Sequence, residues 1–188
     1  MKKRKNYTEG ASVPTQIQCD VIGWVRSPYK ERHGTPRQAI LDHRPEEYEP
    51  VEAYIELDTQ LVPAIALKDL EGFSRIWVLS FLHLNHHWNP TVCPPRGDKI
   101  KRGTLATRAP HRPNPIGLSA LRLLRIEENR IFVEGIDLLD GTPVLDIKPY
   151  VPYCDAFPDA KAGYVDELRV RKEKEQEIWG KKETDTQS

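Results

Sequence analysis

Ile131-Phe132-Val133-Glu134-Gly135-Ile136-Asp137-Leu138-Leu139-Asp140-Gly141-Thr142-Pro143-Val144-Leu145-Asp146-Ile147-Lys148 is the stretch whose reading decides the fold class. Two runs rich in β-branched and aliphatic residues, Ile131 to Leu138 and Val144 to Lys148, read as strands. Between them Asp140-Gly141-Thr142-Pro143 supplies a turn, and the Asp-Gly pair is a hairpin signal because glycine accepts positive φ without steric cost. The reading therefore predicts that the chain returns antiparallel. A period of two then puts Asp146 and Lys148 on one face with Val144.

Working outward, the same pattern recurs. Leu118 to Glu127 precedes the turn Glu128-Asn129-Arg130, and Gly103 to Arg108 is a further strand candidate. Ile76 to Leu84 reads as a buried strand, Glu52 to Leu57 as a half-buried one, and Ile17 to Arg26 as the first strand, ended by Ser27-Pro28-Tyr29. Pro63 to Leu70 suits a short helix stopped by Gly72. The helical patterns between strands are too few for βαβ units, and no Gly-x-Gly-x-x-Gly turn opens a helix. With 16 Pro and 11 Gly in 188 residues, short elements and many turns are favoured. The fold class is mainly β with a minor α/β character. The expected organisation is a disordered lead over residues 1–16, one domain over 17–165, and a charged helical tail over 166–188. Lys30 to Pro50 shows little periodicity and reads as a long surface loop.

Charge is balanced overall, 28 basic against 28 acidic residues, which argues against a generic nucleic-acid binder. Locally it segregates. Asp42, Glu46, Glu47, Glu49, Glu52, Glu56 and Asp58 face the single Arg44, whereas Arg96, Lys99, Lys101, Arg102, Arg108 and Arg112 face Asp98 alone. A phosphate-bearing partner would be drawn to the second segment; alternatively the two segments neutralise each other. Cys19, Cys93 and Cys154 are odd in number and widely spaced, so no disulfide framework is expected. No signal-like h-region or membrane-spanning run is visible, and a reducing, cytoplasmic setting is the default expectation.

Ala106-Thr107-Arg108-Ala109-Pro110-His111-Arg112-Pro113-Asn114-Pro115-Ile116-Gly117-Leu118-Ser119 is the segment richest in chemistry. Its closely spaced prolines fix φ and remove backbone donors, so the loop is stiff before any ligand arrives. It is either a pre-organised recognition surface carrying Arg108, Arg112 and Asn114, or a braced turn whose arginines pair with the acidic segment. At the end of the closing strand, Asp146, Lys148 and Tyr150 bring an acid, a base and a phenol together, which suits proton handling or hydroxyl recognition; a surface salt bridge is the alternative. His83, His86, His87 and Cys93 do not have zinc-site spacing, because adjacent histidines diverge from an extended backbone. No metal is expected.

Five ordered blocks resemble the TsaA-like (TrmO-type) family: Ile22-Gly23-Trp24-Val25-Arg26-Ser27-Pro28-Tyr29-Lys30, Gly34-Thr35-Pro36-Arg37-Gln38, Phe73-Ser74-Arg75-Ile76-Trp77, Arg108 to Gly117, and Asp140 to Tyr150. The chain departs from the pattern at His111, where relatives often carry an aromatic. The resemblance implies a small β-barrel with short helices and a charged C-terminal helix, binding S-adenosylmethionine, often as a homodimer. The implied activity is methylation of the N6 nitrogen of threonylcarbamoyladenosine next to the anticodon of tRNA. The implied cofactor contacts are Gln38, Ala39 and Ile40; Leu82 and His83; Arg108 and Leu118; and Glu134, Gly135, Ile136 and Asp137. Asp146 is the first choice of base, then Tyr150 and Asp137, while Arg112, Asn114 and Lys148 would hold the substrate, Arg112 also assisting the reaction. The competing reading is a barrel that holds a nucleoside or RNA without chemistry.

Overall fold

The computed structural model describes residues 13–31, 35–36, 51–95 and 98–171. Most of the expected N-terminal lead, most of the Lys30 to Pro50 loop and the tail beyond residue 171 lie outside the described residues. Six strands close into an antiparallel barrel in the order β1-β2-β7-β6-β3-β8. These are β1 (Gly23–Arg26), β2 (Glu52–Leu57), β3 (Arg75–Phe81), β6 (Ile116–Glu127), β7 (Arg130–Glu134) and β8 (Pro143–Pro149). The long connection from β3 to β6 carries a separate two-stranded ladder, β4 (Thr91–Val92) with β5 (Arg102–Gly103). A single-turn helix, α1 (Pro152–Asp155), follows the barrel, and a further helix begins at 164 and continues to 171.

So small a barrel has room inside only for aliphatic side chains. Its core is Val25, Ala53, Ile55, Leu57, Ile76, Val78, Leu121, Leu123, Ile131, Val133 and Val144, with Ile136 and Leu138 packed among them. No aromatic ring is part of this buried cluster. Tyr54 and Phe132 stack at 5.3 Å elsewhere, with the Arg125 guanidinium 3.7 Å from the Phe132 ring centre. Around them Arg125 pairs with Glu52 and Glu127, and Arg26 with Glu56.

Closure depends on β1, which pairs with β2 through Gly23↔Leu57 and with β8 through Gly23↔Val144. A Cβ at Gly23 would come within 2.5 Å of the Glu56 carbonyl oxygen, so the close approach needs glycine. Beyond β1, the Ser27 hydroxyl donates to the Leu138 carbonyl and the Ser27 amide to Asp140 Oδ1, while Lys30 Nζ lies 2.5 Å from Asp140 Oδ2. The first and last of the five sequence blocks are thereby clasped together. The Lys30 ammonium, then the Ser27 amide, hold the Asp140 carboxyl below its usual pKa.

The structure corrects several expectations. Asp140-Gly141 turns the chain, with Thr142 N donating to Leu139 O, but it does not join a hairpin. β7 is flanked by β2 and β6 and β8 by β1 and β3, so the two lie on opposite sides of the barrel. Gly135, at φ +83°, ends β7, and buried Ile136 and Leu138 carry the chain across the barrel end. The true hairpin is β6 to β7, where Glu127 pairs with Arg130 and Glu128 takes φ +54°.

A bulge also breaks the expected face in β8. Ser80 pairs with Val144 but Leu79 pairs with Asp146, leaving Leu145 as the extra residue. Val144 therefore faces the core, and Asp146 and Lys148 face outward with Ile147 turned in. Residues 17–22 are not strand, and of the candidate from Gly103 to Arg108 only Gly103, with Arg102 before it, is paired as strand. Thr104–Ala106 is instead a 3-10 turn, because Thr104 is tied by its amide to Pro90 O and by its hydroxyl to Asn89 O. The expected helix at Pro63 to Leu70 is two 3-10 turns, Ala64–Leu67 and Leu70–Gly72. β3 ends at Phe81 and alternates between core and outer face; it is not buried throughout.

Gly23→Ala is expected to lose roughly 1–3 kcal/mol of stability through overpacking against backbone, measured by chemical denaturation. Asp140 stabilises only while ionised. Its contribution is complete above the unfolded carboxyl pKa near ~3.9 and disappears as pH falls through the lower folded value. Asp140→Asn should therefore melt below wild type at neutral pH, and the gap should close as melts are taken to progressively more acid pH.

Candidate active site

The outer face of β8, β3 and β6 brings several of the expected residues together. Across the three strands Asp146, Leu79 and Leu118 form one row, and Lys148, Trp77 and Ala120 the next. Lys148 Nζ lies 2.7 Å from Asp146 Oδ2, and Asp146 Oδ1 accepts the Ile147 amide at 2.9 Å. Tyr150 stands beside Trp77 at 5.4 Å between ring centres. Towards the open end of this face, Phe81, Ile116 and Leu118 are exposed, Leu118 by 52%. The surface is thus an apolar strip with a carboxylate–ammonium pair along one margin.

Trp77 is anchored from outside. Its indole N–H donates to Asp155 Oδ2, which also accepts the Val151 amide, so α1 is pinned over the end of the face. The Val151 amide first and the Trp77 indole second draw the Asp155 carboxyl below its ordinary pKa.

On the other margin, Glu134 lies opposite Arg122, 3.2 Å from its guanidinium, and is nearly buried. Asp137 Oδ1 accepts the Ser119 hydroxyl at 2.6 Å, tying the strand-crossing segment to β6. Ile136 is a core side chain, so only its backbone can face a ligand. Gly135 supplies the bend between them. Gln38, Ala39 and Ile40 lie outside the described residues.

Leu82, His83, Arg108, Arg112 and Asn114 belong to the long β3–β6 connection, which enters and leaves the barrel beside the paired residues Phe81 and Ile116. Leu82 N donates to Pro115 O at 2.7 Å and closes the base of this insert. Gly117 makes that closure possible: a Cβ there would lie 2.4 Å from Ser80 Oγ and 3.2 Å from the Leu82 side chain. His83 is partly buried, and Arg108 is exposed. Asn114 lines an open hollow with Pro14, Thr15, Gln16 and Ile17. Among the described residues no three His, Cys, Asp or Glu side chains gather as a metal group would require.

Arg112 is a loop brace. Its Nη1 donates to Thr107 O at 2.6 Å and lies within 3.5 Å of the Thr104 and Ala109 carbonyls. Among the described residues its other guanidinium nitrogens make no hydrogen bond, so the fork is only partly used. Within the acidic segment Glu52 and Glu56 pair with Arg125, Arg26 and Arg130, while Asp42, Glu46, Glu47 and Glu49 lie outside the described residues.

Sequence reasoning quoted Trp77, Ile116 and Ser119 within its motifs without giving them a site role, and passed over Leu79, Phe81 and Asp155. The run Ile76 to Leu82 is nearly all apolar, which hides that alternate residues face outward. Ser119 and Asp155 find their partners only through tertiary contact.

The family whose model covers residues 24–156 is described as the tRNA-methyltransferase O N-terminal domain. The chain belongs to this family. An Escherichia coli (strain K12) protein named tRNA (adenine(37)-N6)-methyltransferase is 40% identical over 157 residues, covering 80% of this chain and 64% of that protein. A Pseudomonas aeruginosa PAO1 protein named putative S-adenosylmethionine-dependent methyltransferase RcsF is 45% identical over 148 residues, covering 77% of this chain and 62% of that protein. The crystal structure of TrmO from Pseudomonas aeruginosa superimposes with a TM-score of 0.66 at 40% identity, over 80% of this chain and 63% of that one. The chain thus spans somewhat less than two thirds of the length of these relatives.

Removing the brace should loosen its loop before it loosens the barrel. Arg112→Ala is expected to lower amide hydrogen-exchange protection at Thr107 and Ala109 about fivefold or more, as for loss of a net hydrogen bond of ~1 kcal/mol. Core amides such as those of Ile131 and Val133 should keep theirs.

Proposed function

We propose that this protein is an S-adenosylmethionine-dependent methyltransferase acting on the N6 nitrogen of threonylcarbamoyladenosine next to the anticodon of tRNA. The observation that carries the reading is the outer face of β8, β3 and β6, where an exposed apolar strip runs beside ionised side chains. Such a surface fits a nucleoside–sulfonium ligand, which has a flat ring to bury and hydroxyl, ammonium and carboxylate groups to hydrogen-bond. The relatives named for this activity and cofactor support the same reading.

When bound, the cofactor supplies an already activated methyl group, so the protein's own work is alignment, water exclusion and proton removal. Gln38, Ala39, Ile40, Leu82, His83, Arg108, Leu118, Glu134, Gly135, Ile136 and Asp137 are assigned to cofactor contact, Ile136 through its backbone. Arg112, Asn114 and Lys148 are assigned to the substrate, the unused part of the Arg112 fork suiting a carboxylate or phosphate. Asp146 is assigned as the base, with Tyr150 next in order; the urea-like nitrogen is a poor nucleophile while it holds its proton. In the proposed homodimer a second copy of the chain would close over the cofactor along this strip, removing from water the apolar surface that the cofactor leaves exposed. Residues 17–165 form the catalytic domain in this reading. No helix among the described residues is long and apolar enough to cross a membrane, and the proposed setting is cytoplasmic.

The decisive experiment incubates the protein with S-adenosylmethionine and tRNA bearing threonylcarbamoyladenosine, then digests the RNA for nucleoside mass spectrometry. One added methyl on the modified nucleoside is expected. Binding of cofactor and tRNA with no added methyl would leave a non-catalytic barrel instead. Asp146→Asn should slow transfer about a hundredfold or more with cofactor affinity retained, and near-normal turnover would pass the role to Tyr150.

A further inference from the structure

The β3–β6 insert, residues 82–115, holds six Lys and Arg residues and a single acid, Asp98, in a chain whose overall charge is zero. Asp98 is already spent. Its Oδ2 pairs with Arg102 at 2.7 Å and its Oδ1 accepts the Ile100 amide. Arg102 is further occupied beneath the Tyr164 ring, 4.5 Å from its centre, and Arg112 braces its own loop. Lys99, Lys101 and Arg108 remain exposed, and among the described residues no carboxylate pairs with them.

Trp88 stands in the same insert. It is 47% exposed, and among the described residues no ring or cation stacks on it. Its backbone is nonetheless fixed on both sides. His111 Nδ1 donates to the His87 carbonyl at 3.1 Å, and Thr104 binds Asn89 O through its hydroxyl and Pro90 O through its amide. The Arg112 brace then ties Thr104 to Thr107 and Ala109, on either side of Arg108. A large flat side chain is therefore displayed on a pre-organised frame that also carries free cations. Ile100 and Leu105, exposed by 51% and 77%, add apolar surface to the same insert.

We propose that this insert is the docking surface for the unpaired bases of the anticodon loop, with Trp88 as a stacking platform and Lys99 and Lys101 as phosphate contacts. The inference rests on the tRNA reading above and assigns that partner a place on the molecule. Single-stranded RNA is recognised by stacking of splayed bases on aromatic rings beside cations, and every base offers a π-face. An acidic peptide would match the cations as well, whereas single-stranded RNA uses the flat indole face and the neighbouring cations together. The position also fits: the insert leaves the barrel at Phe81 and returns at Ile116, at the edge of the proposed catalytic face. Nucleotides flanking a target held on that face would reach the insert.

The test uses the full chain and a labelled anticodon stem-loop RNA, with a fully base-paired RNA of equal length as comparison. Trp88→Ala is expected to weaken stem-loop binding about tenfold, with Trp88→Phe retaining most of it and binding of the paired RNA little changed. Lys99→Ala with Lys101→Ala should lower the slope of log affinity against log salt by about 1.4, the release expected for two single-strand phosphate contacts. Affinity for S-adenosylmethionine should stay at the wild-type value in every variant. Should Trp88→Ala lose its fold by circular dichroism, Trp88→Leu, which keeps apolar bulk without a π-face and should weaken binding, decides the matter with the double-lysine variant. Wild-type binding that none of these variants weakens would overturn the docking surface alone, as would tight capture of an acidic peptide on the same residues in place of RNA. A wild-type protein that ignores the stem-loop altogether would remove the tRNA reading itself.

Discussion

Six strands closed on themselves leave an interior that side chains alone fill, and that limit organises the rest of this protein. Valine, isoleucine, leucine and alanine fill it, and Gly23 is needed where β1 presses against the Glu56 carbonyl to complete the ring. Larger or charged residues on the strands must look outward. The barrel wall therefore carries two different outer surfaces. On β2 and β7 and the adjoining part of β6, Tyr54, Phe132 and their arginines and glutamates satisfy one another. On β8, β3 and the start of β6, Phe81, Ile116 and Leu118 are left exposed beside the Asp146–Lys148 pair. The difference between a self-satisfied surface and an unsatisfied one singles out the second as the candidate site.

One extra residue sets the chemistry of that surface. Had β8 run without its bulge, Asp146 and Lys148 would share Val144's inward direction and would bury two charges in an aliphatic core. Leu145 shifts the phase, so the core keeps Val144 and Ile147 while the acid and the base emerge next to Leu79 and Trp77. Bulges next to functional positions re-aim side chains in this way. Gly117 plays a comparable part on β6, where the missing side chain lets the Leu82–Pro115 closure sit against Ser80. A side chain at Gly117 would have to displace the Ser80 hydroxyl and the Leu82 side chain at the point where the proline-rich insert joins the margin of the site.

Much of this was legible from residue pattern. Period-two alternation located β2 to the residue, and runs rich in β-branched and aliphatic residues between turn signals located β6, β7 and β8 to within about four residues. The first and last family blocks meet through the clasp between Ser27 and Asp140, and the third and last through the β3–β8 pairing, while most of the second lies outside the described residues. Other features were not readable. Asp140-Gly141 has the composition of a hairpin turn, but whether a turn joins neighbouring strands depends on which edges are still open, and both edges of β7 are taken. Arg112 has the composition of a ligand-binding arginine, and its first duty is to three carbonyls of its own loop.

What the sequence by itself determined is the kind of element at most positions, the stiffness of the segment from Pro110 to Pro115, and membership of a family, because local pattern and motif order are properties of the chain alone. Only the tertiary structure decided which face each charge occupies, which arginines are already spent, and which of the apolar residues remain uncovered. Those outcomes depend on strand order, on a single-residue bulge and on the small circumference of the barrel, none of which leaves a mark at fixed spacing along the chain.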